Sequence, residues 1–411
     1  MSFQVRSWPT VVLHIDGDAF FVSVLQAINP SLKGKAIVAG SERGIATAVS
    51  YEAKKYGVKR AMRISEVRKL CPHCIVMNSD YETYSLFSKR MFDIMREFSP
   101  TVEEYSIDEA FADLKGLRRP LKMTYQEIAA AMKNKVESSL GISVSVGVSL
   151  TKSLAKLASS FLKPSGLKLV DGISIDEFLQ KIPVEKVWGI GENTASYCYK
   201  LGIRTAYELT IKEEIYIQKY FSKPIFEIWK ELRGQQVYAI DITSRTTYKS
   251  IQRTGTFRPA TNDPKLLWPR LMEHIEDAFS TARKYNYYVG KISIFLKGQD
   301  FRYYSTEIKL SEKTIYPMLI INEIKNGMRK IWKKGVLYRA SGCTISDLSD
   351  LDDGKQPTLF ADTKRERVAQ KIYPLLESNK VNFASSLYDK DRLVQKKHKP
   401  KTSIPFITLD P

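Results

Sequence analysis

The stretch Tyr105-Ser106-Ile107-Asp108-Glu109-Ala110-Phe111 lies in an island holding Glu103, Glu104, Asp108, Glu109 and Asp113 with no Lys or Arg, inside a chain of formal net charge +19. If the apolar residues on either side pair as strands, a tight turn falls near Ser106 to Glu109 and leaves two adjacent carboxylates at its tip. Adjacent carboxylates repel each other unless metal ions or a basic partner neutralise them. The competing reading is a solvated acidic turn. A second stretch weighs against it. Val11-Val12-Leu13-His14-Ile15-Asp16-Gly17-Asp18-Ala19-Phe20-Phe21 begins as a short apolar strand and ends in Asp, Gly, Asp and two aromatics. A buried strand ending in Asp16 puts a carboxylate on the rim of a sheet, where α/β sites collect. Asp16, Asp108 and Glu109 are then the oxygen set that holds a pair of Mg²⁺ ions for phosphoryl chemistry, unless Asp16 merely ends its strand in a turn.

Several elements must position these acids. Tyr84, Phe87, Met91, Ile94, Met95 and Phe98 recur at helical period and predict an amphipathic helix over Tyr81 to Phe98, packed on the sheet that carries the acids. A second helix is expected over Tyr125 to Leu140, an alternating strand over Ile142 to Val148, and a helix over Thr151 to Phe161 with Lys152 and Lys156 one turn apart. The turn Lys163-Pro164-Ser165-Gly166-Leu167-Lys168 follows. This order builds a split β-α-β plan. Between Asn29 and Ser79 lies a small insertion: a strand at Ala36 to Ala39 and helices at Tyr51 to Tyr56 and Ile64 to Leu70.

Val187-Trp188-Gly189-Ile190-Gly191, with Leu201-Gly202-Ile203 closing the next helix, has the form of a helix-hairpin-helix. Its glycines allow a tight turn whose backbone N–H groups can approach a DNA phosphate. The region 173–234 reads as all helical and 235–247 as a linker. From Arg245 to Ser349 there are 19 Lys and Arg against 9 Asp and Glu. There the expected order is strand (Tyr248 to Phe257), helix (Pro264 to Tyr285), strands (Val289 to Leu296, Phe301 to Leu310), helix (Tyr316 to Trp332) and strand (Leu337 to Ser346). Such a β-α-β-β-α-β unit keeps its helices on one face, and its open basic face suits backbone phosphates. The competing reading is a solvated basic surface. After Asp350 the chain turns polar, with one helix expected within Lys364 to Leu387.

Composition narrows the classes. A chain of 411 residues implies two to four domains, and 43% hydrophobic residues can build their cores. A pI near 9.5 points to a polyanionic partner. No apolar run has membrane-spanning length and the N-terminus is polar to Pro9, so a soluble, cytoplasmic protein is expected. Cys71, Cys74, Cys198 and Cys343 make no disulfide framework, and Cys71-Pro72-His73-Cys74 lacks a second ligand pair for zinc. The four histidines are scattered, and none is expected near the acids.

The D-G-D-A-F-F segment at 16–21, Y-S-I-D-E-A-F at 105–111 and the run Ser149 to Lys168 resemble the Y-family translesion DNA polymerases, nearest the DinB branch and with some UmuC-like features. The resemblance spans about Val11 to about Phe360 and implies a multidomain α+β right hand. It would place a palm at 1–28 and 80–172, fingers at 29–79, a thumb at 173–234, a linker at 235–247, a little finger at 248–349 and a tail at 350–411. It implies two Mg²⁺ ions, replaceable by Mn²⁺, on Asp16, Asp108, Glu109 and the Gly17 carbonyl. Phe20, Phe21, Thr47, Tyr51, Lys54 and Lys168 would bind the incoming nucleotide, with Phe21 as steric gate. Gly189, Ile190, Gly191 and Lys152 would touch DNA. Gln356, Leu359 and Phe360, within Gln356-Pro357-Thr358-Leu359-Phe360, resemble a peptide that docks on the sliding clamp. Four positions depart from the family pattern: Lys54 stands in place of Arg, Arg63 of Pro, Thr151 of Asn and Ser160 of Asp.

The implied reaction is template-directed: a primer 3′-OH attacks the α-phosphate of a dNTP and pyrophosphate leaves. Low fidelity, short processive runs, no proofreading exonuclease and a monomeric state are expected. Two other classes compete. A catalytically silent DNA-binding scaffold could lose an acid, yet all three are present. A template-free nucleotidyl cyclase would need neither the helix-hairpin-helix nor the basic domain.

Overall fold

The computed structural model describes residues 7–243, 248–350 and 363–377. Its contacts divide the chain into two units, Met1–Ser244 and Arg245–Pro411.

The first unit runs β1 (Val12–Gly17), α1 (Phe20–Ile28), β2 (Ile37–Ala39), β3 (Ala48–Val49), α2 (Tyr51–Lys55), α3 (Ile64–Leu70), β4 (Ile75–Met77), α4 (Tyr81–Phe98), β5 (Val102–Glu104), β6 (Glu109–Asp113), α5 (Arg118–Leu121), α6 (Tyr125–Leu140), β7 (Val144–Ser149), α7 (Lys152–Phe161) and β8 (Leu167–Leu169). Five helices follow: α8 (Ile175–Gln180), α9 (Glu192–Lys200), α10 (Ala206–Thr210), α11 (Glu214–Tyr220) and α12 (Lys223–Leu232).

Its main sheet has the order β5-β6-β1-β7-β8. Central β1 is antiparallel to both β6 and β7. The period of two along β1 sorts its residues between two layers. Leu13 and Ile15 join Met91, Met95, Ile128 and Met132 in the core beneath α4 and α6, each such side chain contributing about 1.5–3 kcal/mol by leaving water. Val12 points the other way and packs with Phe111 and Ala155 of α7. Gly147 makes that second layer possible, because a Cβ there would stand 2.1 Å from the Ala155 carbonyl oxygen and 2.3 Å from the Ser159 nitrogen.

Caps fix the two core helices at their expected starts. Asp80 accepts from the Thr83 N–H at 3.3 Å at the head of α4. Thr124 and Glu127 form a reciprocal capping box on α6, which ends at Gly141 with φ +65°. The inserted segment is a small sheet, β3-β2-β4, over its own core of Val38, Ala53, Val67 and Cys71. The strand expected from Ile142 starts instead at Val144, since the Ser143 N–H is taken by Ser23 Oγ.

The second unit comprises β9 (Ser250–Thr261), α13 (Pro264–Lys284), β10 (Tyr287–Gly298), β11 (Tyr303–Thr314), α14 (Ile321–Ile331), β12 (Tyr338–Asp350) and α15 (Thr363–Glu377). Its antiparallel sheet has the order β11-β10-β12-β9. The helix expected from Tyr316 opens as a 3-10 turn at Pro317–Ile320, before the α-helix begins at Ile321. Ala369 and Tyr373 of α15 bury against Tyr316. No helix among the described residues is long and apolar enough to cross a membrane.

Candidate active site

β1 delivers Asp16 directly opposite Glu109, the first residue of β6. The turn between β5 and β6 supplies Asp108, whose Oδ1 accepts from Ser106 Oγ at 2.6 Å. That turn is tied to the end of β1, since the Gly17 N–H donates to the Asp108 backbone carbonyl at 2.8 Å. Three carboxylates from sequence-distant segments therefore share one rim of the sheet.

Two lysines meet them there. Lys163 pairs with Asp16 through Oδ1, and Lys156 with Glu109 through Oε2. Burial pushes the Asp16 carboxyl up from its ordinary 3.8 to about 6; the charges of Asp108 and Glu109 push the same way, against the pull of Lys163. Glu109 moves oppositely: burial would raise it, but hydrogen bonds from His14 and Lys156 and the Lys156 charge hold it down at about 2. Sequence spacing hid His14. It is wholly buried on the same strand face as Asp16, with Nε2 3.1 Å from Glu109 Oε2 and Nδ1 2.7 Å from Ser159 Oγ. The expectation of no histidine near the acids is thus corrected: period-two alternation put residues 14 and 16 on one face, which was the available signal.

Asp18 is the other residue that sequence reasoning passed over. Buried to 2% exposure, it accepts from Ser143 Oγ at 2.8 Å, Ser145 Oγ at 2.9 Å, the Ser165 N–H at 2.7 Å and Tyr51 Oη at 3.4 Å. It fastens the inserted segment and the 163–168 turn to the sheet.

The expected nucleotide residues fall in three places. Phe20 is buried beneath Gly17, whose missing Cβ would lie 2.7 Å from its ring. Phe21 is half-buried and stacks on Tyr84, with ring centroids 4.3 Å apart and planes 7° from parallel. Thr47 Oγ1 donates to the Ala39 carbonyl at 3.0 Å. The Lys54 ammonium lies 4.0 Å from the centre of the Tyr51 ring, and burial, then the charge of Lys163, lowers its pKa. Lys168 sits on β8 opposite Gly147, and its charge acts on exposed Glu177.

Of the expected DNA residues, Gly189 has φ +87°, Ile190 is buried, and Gly191 caps α9. Trp188 beside them packs edge-on against Tyr105 at 5.5 Å, which seats the hairpin beside the acidic turn. Lys152 is buried, with its ammonium paired to Glu103 and 5.2 Å from the Phe111 ring centre. Gln356, Leu359 and Phe360 lie outside the described residues.

Residues 15–160 match the impB/mucB/samB family, and residues 248–359 match the impB/mucB/samB family C-terminal domain. DNA polymerase IV of Desulfatibacillum aliphaticivorans is 30% identical over 386 residues, spanning 93% of this chain and 97% of the relative. DNA polymerase IV of Brucella melitensis is 31% identical over 350 residues, spanning 84% and 77%. The chain belongs to the Y-family of DNA polymerases. A solved Y-family DNA polymerase chimera, Dbh-Dpo4(243-245)-Dbh, shares 25% identity and a TM-score of 0.70 over 82% of this chain and 99% of its own. DinB from Sulfolobus solfataricus shares the fold at 24% identity and a TM-score of 0.53, over 82% of this chain and 98% of its own.

This Y-family translesion polymerase works on DNA with nucleotides, and its membership implies divalent-metal-dependent nucleotidyl transfer. The scaffold reading is not favoured. The donor set fits a hard cation, being three carboxylates side by side. Among the described residues no three His, Cys, Asp and Glu side chains converge tightly enough to grip an ion as they stand. Asp16 and Glu109 are turned onto ammonium groups. One oxygen of each acid nevertheless carries no protein donor among the described residues: Asp16 Oδ2, Asp108 Oδ2 and Glu109 Oε1.

Proposed function

We propose that Asp16, Asp108, Glu109 and the Gly17 carbonyl hold two Mg²⁺ ions, which Mn²⁺ can replace, for attack of a primer 3′-OH on the α-phosphate of a dNTP. The observation that carries this reading is the register of Asp16 opposite Glu109, with Asp108 in the adjoining turn. When bound, such a pair of ions lowers the pKa of the attacking hydroxyl and offsets charge on the phosphates. The chain's own residues do the rest. Thr47, Tyr51, Lys54 and Lys168 receive the triphosphate as donors and cations. Phe20 and Phe21 floor the sugar pocket, with Phe21, braced by its stack on Tyr84, excluding a 2′-OH. The turn Gly189-Ile190-Gly191 offers N–H groups to a DNA phosphate.

In this reading residues 1–28 and 80–172 are the palm, 29–79 the fingers, 173–234 the thumb and 248–349 the little finger. The enzyme is a cytoplasmic monomer, distributive and without proofreading, and it reaches the sliding clamp through Gln356, Leu359 and Phe360. Primer extension with Mg²⁺ tests the core of it. Asp108→Ala and Glu109→Ala should each abolish extension while primer-template binding persists; continued extension by either variant would refute the assignment.

A further inference from the structure

Glu109 keeps one carboxylate oxygen without a protein donor among the described residues, although two basic groups lie beside it. Both groups meet the same atom. His14 Nε2 lies 3.1 Å from Oε2, and Lys156 is bonded to that oxygen too. Oε1 carries no donor among the described residues.

We propose that His14 is a positioning residue: with Lys156 it pins Glu109 by Oε2 and reserves Oε1 for a divalent cation shared with Asp16 and Asp108. This rests on the metal-holding reading above. An ionised carboxylate only accepts, so Nε2 carries the proton and donates to Glu109. Nδ1 is then an acceptor, and Ser159 Oγ at 2.7 Å is its donor. Ser159 can turn to it, because the Lys156 carbonyl, its other partner, also receives Ser160 Oγ at 2.9 Å. Phe111 closes the ring in from one side, with centroids 4.6 Å apart. Wholly buried, the imidazole has its orientation set by two hydrogen bonds and a ring contact. It thus acts on the metal through its ligand, as outer partners of metal-binding side chains do.

Two amide variants separate this role from packing. The amide nitrogen of Gln reaches about as far as Nε2, whereas that of Asn reaches only as far as Nδ1. His14→Gln therefore retains a donor for Glu109, and His14→Asn retains only a partner for Ser159. The full chain is titrated with Mn²⁺, the free ion being read by electron paramagnetic resonance, and kcat and the KM for dNTP are measured by primer extension. For His14→Asn the Mn²⁺ dissociation constant should rise about 10–100-fold, with a comparable fall in kcat and KM unchanged. His14→Gln should recover most of both losses. The inference is overturned if Asn binds Mn²⁺ like the wild type, or if Gln is as impaired as Asn. Glu109→Ala is the control: if it binds Mn²⁺ as tightly as the wild type, the metal-holding reading itself fails, whatever His14 does.

Discussion

Asp16→Asn should stabilise the metal-free protein while it destroys the site. Burial lifts the Asp16 carboxyl from 3.8 to about 6, so the folded state binds its proton more tightly than the unfolded chain does. The cost of ionising it grows as pH rises from about 4 to about 6, and above that it is present in full. At about 1.4 kcal/mol per pKa unit the cost is about 3 kcal/mol at pH 8, and roughly half of that at pH 5. Asparagine resembles the protonated acid in shape and never ionises, so it escapes the cost. Lys163 loses its partner, but its side chain is 25% exposed and can turn to water. The assay is urea unfolding with a metal chelator at pH 8 and pH 5. Hydrogen exchange in β1 peptides assigns the transition to the unit that holds Asp16. A gain at pH 8 that shrinks at pH 5 is expected; a gain of equal size at both, or a loss at pH 8, would refute the burial argument.

Phe21→Ala should raise ribonucleotide incorporation strongly, by removing the ring braced on Tyr84; unchanged sugar discrimination removes Phe21 from the gate role. Gly147→Ala forces a methyl within 2.1 Å of a backbone oxygen of α7 and should cost at least about 1–3 kcal/mol, seen as a lowered melting temperature. Tyr373 is 2% exposed and its hydroxyl lies 3.3 Å from Glu276, so Tyr373→Ala should free α15 to early cleavage in limited proteolysis.

How much of this was legible depended on the range of the interaction. α4 and α6 occupy the residues expected of them, 81–98 and 125–140, because apolar period and caps are local signals. β3 and β4, at two and three residues, are too short to show alternation. Tyr316, from which the helix was expected, is itself extended, as the residue before a proline tends to be, so helical structure begins only at Pro317, as a 3-10 turn. Acids were easy to mark as candidates, since their local charge clashes with the chain's overall sign. Their partners were not: Lys163 meets Asp16 across 147 residues and Lys156 meets Glu109 across 47.

Lys168 drew attention only through the family resemblance, as a contact for the incoming triphosphate, and nothing local marked Lys163 as a partner for Asp16. Both flank the same turn, and only the fold decides which ammonium meets the acids. The turn is held by Asp18 through the Ser165 N–H, and its first residue, not its last, comes to Asp16. Consequently Asp16 sits between opposing influences: burial and two neighbouring acids favour its protonated form, while one lysine favours the charged form. Glu109, with two donors on a single oxygen, escapes that balance. An entering cation would thus meet one acid already fixed and ionised and another still able to exchange a proton near pH 6. The first supplies a rigid ligand and the second the pH dependence. Binding of Mn²⁺ should accordingly weaken below about pH 6 in the wild type.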